Sequence, residues 1–199
     1  MEENRLGAQQ LSSGPMREKP AQDEDNALVK RAAAGDGKAF HQLIDRHSQR
    51  LFRLAASLVG NATDAEDVLQ ETLAGAYRGL GKYEARASFK TWLTRILVTQ
   101  AAKWRRDRAR RGASTSSGQA GMAEDVAVAD GAAASERRMD VQAALKRLSA
   151  EHREVLVLRE FEQMSYEEIA DVLDVPRGTV ESRLFRARQE LKERLKAYL

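Results

Sequence analysis

The sequence contains no cysteine among its 199 residues and only three prolines. Without cysteine the chain cannot form a disulfide scaffold, a thiolate zinc site or a cysteine nucleophile, and its fold needs no oxidising compartment. Aromatic residues make up 6% of the chain, and Ala, Leu, Glu, Arg and Lys dominate, which favours helices over a sheet. We therefore expect an all-α protein.

Long apolar runs are also missing. The N-terminus, MEENRLGAQQ, has no basic segment followed by an apolar one, and no later stretch approaches 18 uncharged apolar residues. We expect a cytoplasmic protein without membrane insertion. The sequence has no phosphate-binding glycine loop, catalytic triad or metal-ligand cluster, since its three histidines are scattered. We therefore expect neither an enzyme nor a bound cofactor or metal.

Two segments without periodicity divide the chain. Residues 1–24 are predicted to be a disordered leader, either regulatory or without function. Small residues dominate 112–135, which is predicted to be a flexible linker spanning roughly 25–30 Å as a coil and at most about 80 Å when extended. The length alone allows one medium domain or two small ones, and the linker favours two, over 25–111 and 136–199.

The first domain is predicted to contain four helices. The first is short, over 27–34, and the second carries an apolar stripe from Phe40 to Leu58 that Gly60-Asn61 ends. Thr63 and Glu66 have the spacing of a capping box for the third helix, which ends near 79–81. The fourth starts at about Ser88 and finishes in the basic stretch KWRRDRARR.

The second domain is also predicted to contain four helices, over 138–148, 150–161, 166–173 and from Pro176 to the C-terminus. Ser165 and Glu168 have the spacing of a second capping box, and Pro176 is placed as a first helical residue. Only two or three residues separate the last two helices. This spacing is typical of a helix-turn-helix, whose second helix enters the DNA major groove.

Charge is segregated along the chain. Residues 103–111 hold six basic residues against one acidic residue, and 177–196 hold seven against three. Either stretch can neutralise several DNA phosphates, although basic residues also suit a helix C-terminus and a solvated face. Residues 61–76 contain acidic side chains and no basic one, and helical spacing places Asp64, Asp67 and Glu71 on one face with Gln70 beside them. This face is either a solvated first turn or a protein-docking surface.

Together these segments resemble the extracytoplasmic-function (ECF) sigma factors of bacteria, within the sigma-70 family. The resemblance rests on NATDAEDVLQETLAGAYRGL, SFKTWLTRI and LSAEHREVLVLREFEQMSYEEIADVLDVPRGTVESRLFRARQEL, and covers about 25–111 and 136–196. It implies two helical domains that bind core RNA polymerase and read the minus-ten and minus-thirty-five promoter elements. It also implies an anti-sigma partner, and a linker that either threads the RNA exit path or serves only as a tether.

The resemblance implies a role for each candidate residue. DAEDVLQE matches the helix that docks on the clamp helices of the largest catalytic subunit, so the expected core-binding residues are Asp64, Asp67, Gln70 and Glu71. The residues expected at the minus-ten element, where the DNA opens and a base is extruded, are Tyr83, Arg86, Lys90, Thr99, Lys103 and Arg106. Phe89 and Trp92 are expected in the core. Thr99 stands where many relatives have Asn, so the minus-ten preference is open.

The resemblance implies that the last helix contacts the minus-thirty-five promoter element. The residues expected there are Arg177, Glu181, Ser182, Arg183, Phe185, Arg186 and Arg188. Arg186 suits a bidentate contact to guanine, and Arg183 and Arg188 suit phosphates. Glu181 stands where relatives often have Arg or Lys, and it can accept from cytosine instead. We predict a promoter-specificity subunit. The alternatives are a stand-alone helix-turn-helix repressor or activator, and an adaptor that binds only protein.

Overall fold

The protein is represented by a computed structural model that describes residues 18–114 and 143–195. Within these residues every long element is a helix, and the all-α prediction is confirmed. The N-terminal half contains α1 (Glu18–Ala33), α2 (Gly37–Val59), α3 (Ala62–Gly79), a 3-10 turn (Leu80–Lys82) and α4 (Phe89–Ser114). The C-terminal half contains a helical segment over 143–146, then α5 (Ala150–Glu160), α6 (Tyr166–Leu173) and α7 (Arg177–Leu195).

Helix α1 begins earlier than predicted. The expected disordered leader extended to residue 24, but 18–24 are helical and continuous with the rest of α1. The reason is long-range pairing with α2: the Asp25 carboxylate lies 2.8 Å from Nε2 of His47, and Glu24 accepts from Arg46. Partners 22 residues apart leave no local pattern in a sequence. The remainder of the predicted leader, 1–17, lies outside the described residues.

The junction of α2 and α3 differs from the prediction in its cap. Gly60 ends α2 with a φ of 93°, a left-handed conformation that glycine adopts without strain. Asn61 then caps α3, because its side-chain oxygen accepts from the backbone N–H of Asp64 at 2.9 Å. The predicted Thr63–Glu66 capping box is therefore wrong. Asn61 comes one residue before the helix, so Thr63 already lies inside the first turn.

Apolar side chains of α2, α3 and α4 form the core of the N-terminal half. Leu43, Leu51, Phe89, Leu93 and Leu97 are fully buried. Phe89 is part of the core as expected, and Trp92 is half-buried against the ring of Phe89. This packing holds α3 and α4 side by side, with their outer faces free for other contacts.

The helix-turn-helix is formed by α6 and α7. The Ser165–Glu168 capping box is present in both directions, and Asp174 turns the chain with a φ of 54°. Pro176 lies one residue before α7, where its carbonyl accepts from Thr179 and Val180, so the helix begins at Arg177 and not at the proline.

The two halves contact each other directly, which the sequence pattern did not predict. Helix α6 packs against α4, and α5 packs against α2. Buried side chains from both halves belong to one continuous apolar cluster. The predicted linker, 112–135, has its first residues in α4, which continues to Ser114. Its remainder lies outside the described residues.

Candidate polymerase and nucleic-acid interfaces

The acidic face of α3 presents three of the four predicted core-binding side chains. Asp67, Gln70 and Glu71 are exposed, and within residues 18–114 and 143–195 none of them forms an ion pair. Asp64 behaves differently. Its carboxylate accepts from the Asn61 amide and lies 3.4 Å from Nη1 of Arg108, with 18% of the side chain exposed. Asp64 therefore stabilises the start of α3, and the other three residues form the open surface.

A basic stripe follows one face of α4. Thr99, Lys103 and Arg106 are spaced by four and three residues and are all exposed, as is Arg95 one turn earlier. The Thr99 hydroxyl donates to the carbonyl of Arg95 at 2.8 Å. In the part of the chain that the structure describes, no carboxylate pairs with Arg95, Lys103 or Arg106. These three cations therefore remain available to a polyanion.

The sequence prediction missed Arg95. Its position four residues before Thr99, on the same helical face, is a signal that periodicity could have given. The predicted Lys90 lies on a different part of α4, where its Nζ donates to the backbone carbonyl of Glu162 at 3.3 Å. The basic stripe is therefore Arg95, Lys103 and Arg106, without Lys90.

The loop between the 3-10 turn and α4 contains the remaining predicted minus-ten residues. Tyr83 packs against Phe89 and Trp92, and its hydroxyl donates to the carbonyl of Ala87 at 2.7 Å. Burial raises the pKa of Tyr83, so the phenol stays a neutral donor. Ala85 has a φ of 54°, a strained conformation for a residue other than glycine. Arg86 is exposed and pairs with Glu84 at 2.6 Å. Tyr83 thus holds the loop, and Arg86 lies at its surface.

The outer face of α7 carries the residues predicted at the minus-thirty-five element. Phe185 is 65% exposed, and Arg177, Glu181, Ser182 and Arg186 are exposed as well. Val180, Leu184 and Ala187 are buried on the opposite face. The predicted division of the helix into an inner and an outer face is therefore present.

Carboxylates of the same half neutralise most of the α7 arginines. Arg177 pairs with Glu167 at 2.7 Å and with Glu181 at 2.9 Å. Arg183 pairs with Glu151 at 3.0 Å. Arg188 pairs with Glu160 at 2.8 Å, and this hydrogen bond raises its pKa further. Arg186 has no such partner among the described residues, so it is the most available arginine of α7.

Residues 18–114 and 143–195 lack two further features. No group of three or more histidine or carboxylate side chains is arranged to hold a metal ion. No helix in these ranges combines the length and the apolar composition needed to cross a bilayer.

Comparisons with known proteins place both halves in one family. Residues 43–111 match the family described as Sigma-70 region 2, and residues 138–191 match Sigma-70, region 4. The chain is 36% identical to the RNA polymerase sigma-H factor of Pseudomonas aeruginosa, over 89% of this chain and 97% of the relative. It is 33% identical to the ECF RNA polymerase sigma-E factor of Escherichia coli K12, over 86% and 94% of the two chains.

A solved structure gives the same result. The chain resembles the sigma factor RpoE, co-crystallised with the anti-sigma factor NepR from Bartonella quintana, with a TM-score of 0.69 and 32% identity. The match covers 80% of this chain and 98% of that one. The chain belongs to the ECF sigma factors of the sigma-70 family. It is an alternative sigma factor that directs transcription initiation, and members of this family are regulatory subunits rather than enzymes.

Proposed function

We propose that α3 docks this sigma factor on core RNA polymerase through Asp67, Gln70 and Glu71. The observation that supports this assignment is their exposure without an internal cationic partner in the described residues. A carboxylate that stays solvated in the free protein can pair with basic side chains of a partner without first breaking an internal ion pair. The family resemblance of DAEDVLQE directs this surface toward the clamp helices of the largest subunit. Asp64 contributes indirectly, by fixing the first turn of α3.

The test is charge reversal on the open part of this face. The variant Asp67→Lys/Glu71→Lys is expected to lower affinity for core polymerase about tenfold or more, because like charges then face each other. A matched control, Asp23→Lys/Asp45→Lys, makes the same charge change at two exposed acidic residues of α1 and α2. Affinity can be measured by pull-down with core polymerase. Equal binding by the two variants would remove this assignment.

The basic stripe of α4 and the 83–88 loop are proposed to hold the opened minus-ten strand. Arg95, Lys103 and Arg106 provide cations along one face for the phosphates of a single strand. The strained loop, closed by the Tyr83–Ala87 hydrogen bond, is proposed to receive the extruded base, with exposed Arg86 at its surface. Trp92 and Phe89 support this loop from below, and their burial makes them poor stacking surfaces for bases.

The outer face of α7 is proposed to read the minus-thirty-five element. Arg186 suits a bidentate contact to guanine, and exposed Phe185 suits a thymine methyl group. Arg183 and Arg188 are proposed to reach phosphates after leaving Glu151 and Glu160. Glu181 is held by Arg177 at 2.9 Å, so a role in reading cytosine requires this pair to open.

An anti-sigma protein is the third proposed partner. The similar structure from Bartonella quintana was solved with such a protein bound. Two large apolar side chains outside α7 are exposed in the described residues, Tyr77 at 66% and Phe161 at 52%. Exposed aromatic side chains are typical anchors of protein interfaces. We therefore propose that the anti-sigma partner covers at least one of them.

A further inference from the structure

The boundary between the two halves contains most of the buried acidic charge of the described residues. Among residues 22–112 and 143–194, only three carboxylates are buried, Asp25, Glu154 and Glu162. Asp25 faces His47 within the N-terminal half. Glu154 and Glu162 belong to the C-terminal half, and each faces an arginine of the N-terminal half. Burying a carboxylate is unfavourable unless a partner compensates it closely, so these two contacts depend on the halves being docked.

Glu162 is the centre of the first contact. It is 6% exposed, and its carboxylate accepts from Nη1 of Arg50 on α2. The same Nη1 also donates to the hydroxyl of Thr94 at 3.1 Å. The backbone carbonyl of Glu162 accepts from Lys90 Nζ at 3.3 Å. Two N-terminal-half side chains, Arg50 and Lys90, thus bond to the short segment that joins α5 to α6, and Thr94 accepts from Arg50 beside it.

The second contact lies on α5. The Glu154 carboxylate accepts from Arg105 of α4. The neighbouring Arg153 donates to the carbonyl of Leu58 at 2.9 Å, near the end of α2, and to carbonyls of residues 145, 146 and 148. One guanidinium therefore donates to carbonyls of both halves, which is a specific and directional contact.

The docked arrangement conflicts with simultaneous reading of both promoter elements. Elements centred about 25 base pairs apart are separated by about 85 Å along the helix axis, at 3.4 Å per base pair. In the structure, α6 of the helix-turn-helix lies directly against α4. Lys90, a predicted minus-ten residue, is engaged by Glu162. The halves must therefore separate before α4 and α7 reach their elements.

We propose that direct docking of the two halves is a closed state of the free sigma factor, and that Glu162 is the residue that holds it closed. The closed state needs no second protein, because each of its cross-half contacts is made within one chain. Core polymerase and promoter DNA open it by binding the separated halves. The part of the proposal that concerns opening rests on the proposed function, and the part that concerns Glu162 does not.

The distance between the halves can be measured directly, because the chain has no native cysteine. Lys38→Cys and Gln189→Cys place fluorophores at exposed sites, one in each half. The free full-length protein is expected to show high energy transfer. Glu162→Lys is expected to raise the population with low transfer about tenfold or more, since it leaves Arg50 facing a like charge. Asp45→Lys, the same charge change on the outside of α2, is expected to leave the transfer unchanged.

A charge exchange separates loss of the latch from loss of the fold. Arg50→Glu alone is expected to open the chain, and Arg50→Glu/Glu162→Arg is expected to recover most of the high transfer, with helix content unchanged by circular dichroism. Low transfer in the wild-type protein, or a Glu162→Lys variant as closed as wild type, would overturn the proposal. Addition of core polymerase tests the other part. Unchanged transfer there would count against the proposed function and leave the Glu162 result standing.

Discussion

Helices α4 and α7 both present arginines and lysines to solvent, but they differ in where the opposing charge lies. The stripe of α4, Arg95, Lys103 and Arg106, has no carboxylate partner in the described residues. On α7, Arg177, Arg183 and Arg188 are each paired with a glutamate of the C-terminal half. A polyanion can bind the α4 stripe at once, whereas at Arg177, Arg183 and Arg188 it must displace internal carboxylates. We therefore expect the α4 stripe to contribute more nonspecific affinity than Arg177, Arg183 and Arg188 of α7.

Reversing charge on the α4 stripe is expected to have the largest effect. Lys103→Glu/Arg106→Glu should lower the affinity of the holoenzyme for promoter DNA about a hundredfold, because two phosphate contacts become repulsive. The dependence of log affinity on log salt should become shallower by about 1.4, at about 0.7 per contact on a single strand. Binding is measured over a range of salt concentrations.

The control for the α4 stripe is Lys30→Glu/Lys38→Glu, an equal charge change at exposed residues of α1 and α2. If this control loses as much affinity as the stripe variant, the effect comes from total charge and not from α4.

Truncation of Arg186, the α7 arginine that has no ion pair in the described residues, is expected to have the next largest effect on DNA affinity. Arg186→Ala should cost about 1–3 kcal/mol on the cognate minus-thirty-five element and relax the preference at one base pair. Competition among single-base variants of the element measures this preference. Arg188→Ala, a phosphate contact in our proposal, should weaken all sequences alike. A uniform loss for Arg186→Ala would instead make Arg186 a phosphate contact.

Removing a carboxylate that pairs with an α7 arginine should bring the nonspecific DNA affinity of α7 closer to that of α4. This change in affinity is expected to be the smallest of the three. Glu160→Gln removes the carboxylate partner of Arg188 and is expected to raise nonspecific DNA affinity several-fold, while the salt dependence steepens by about 0.9. Asp171→Asn is the matched control, since Asp171 is exposed on α6 and has no ion pair in the described residues. Equal gains in both variants would show that net charge, and not the Arg188 pair, limits binding.

Local pattern was sufficient for most helices and for the faces they present. The apolar period predicted α2 and α3 to within a few residues, and the Ser165–Glu168 spacing predicted the cap of α6. These features depend on residues within one or two turns, which a sequence displays directly. The exposed part of the α3 acidic face followed from the same spacing.

Contacts between distant residues explain what the pattern could not predict. The start of α1 depends on pairs 22 residues apart, and the contact between the halves joins Arg50 to Glu162, 112 residues apart. The pairing of α7 arginines with glutamates of α5 and α6 depends on the angles at which these helices pack. Composition shows that arginines and glutamates are both present, but it does not show which of them form ion pairs. For the same reason the sequence predicts Lys90 at the minus-ten element but not its hydrogen bond to Glu162.

Gly60 is constrained twice, by its own backbone and by the other half of the chain. Its φ of 93° is unfavourable for most side chains, and a Cβ built there would lie 3.3 Å from Cγ of Lys146. Asparagine tolerates the left-handed conformation but still brings a Cβ against Lys146. A library of substitutions at this one position therefore separates two kinds of selection. Substitutions that the backbone conformation disfavours should destabilise the N-terminal half under all conditions. Substitutions that fail only because their Cβ meets Lys146 should be disfavoured only under selection for contact between the two halves.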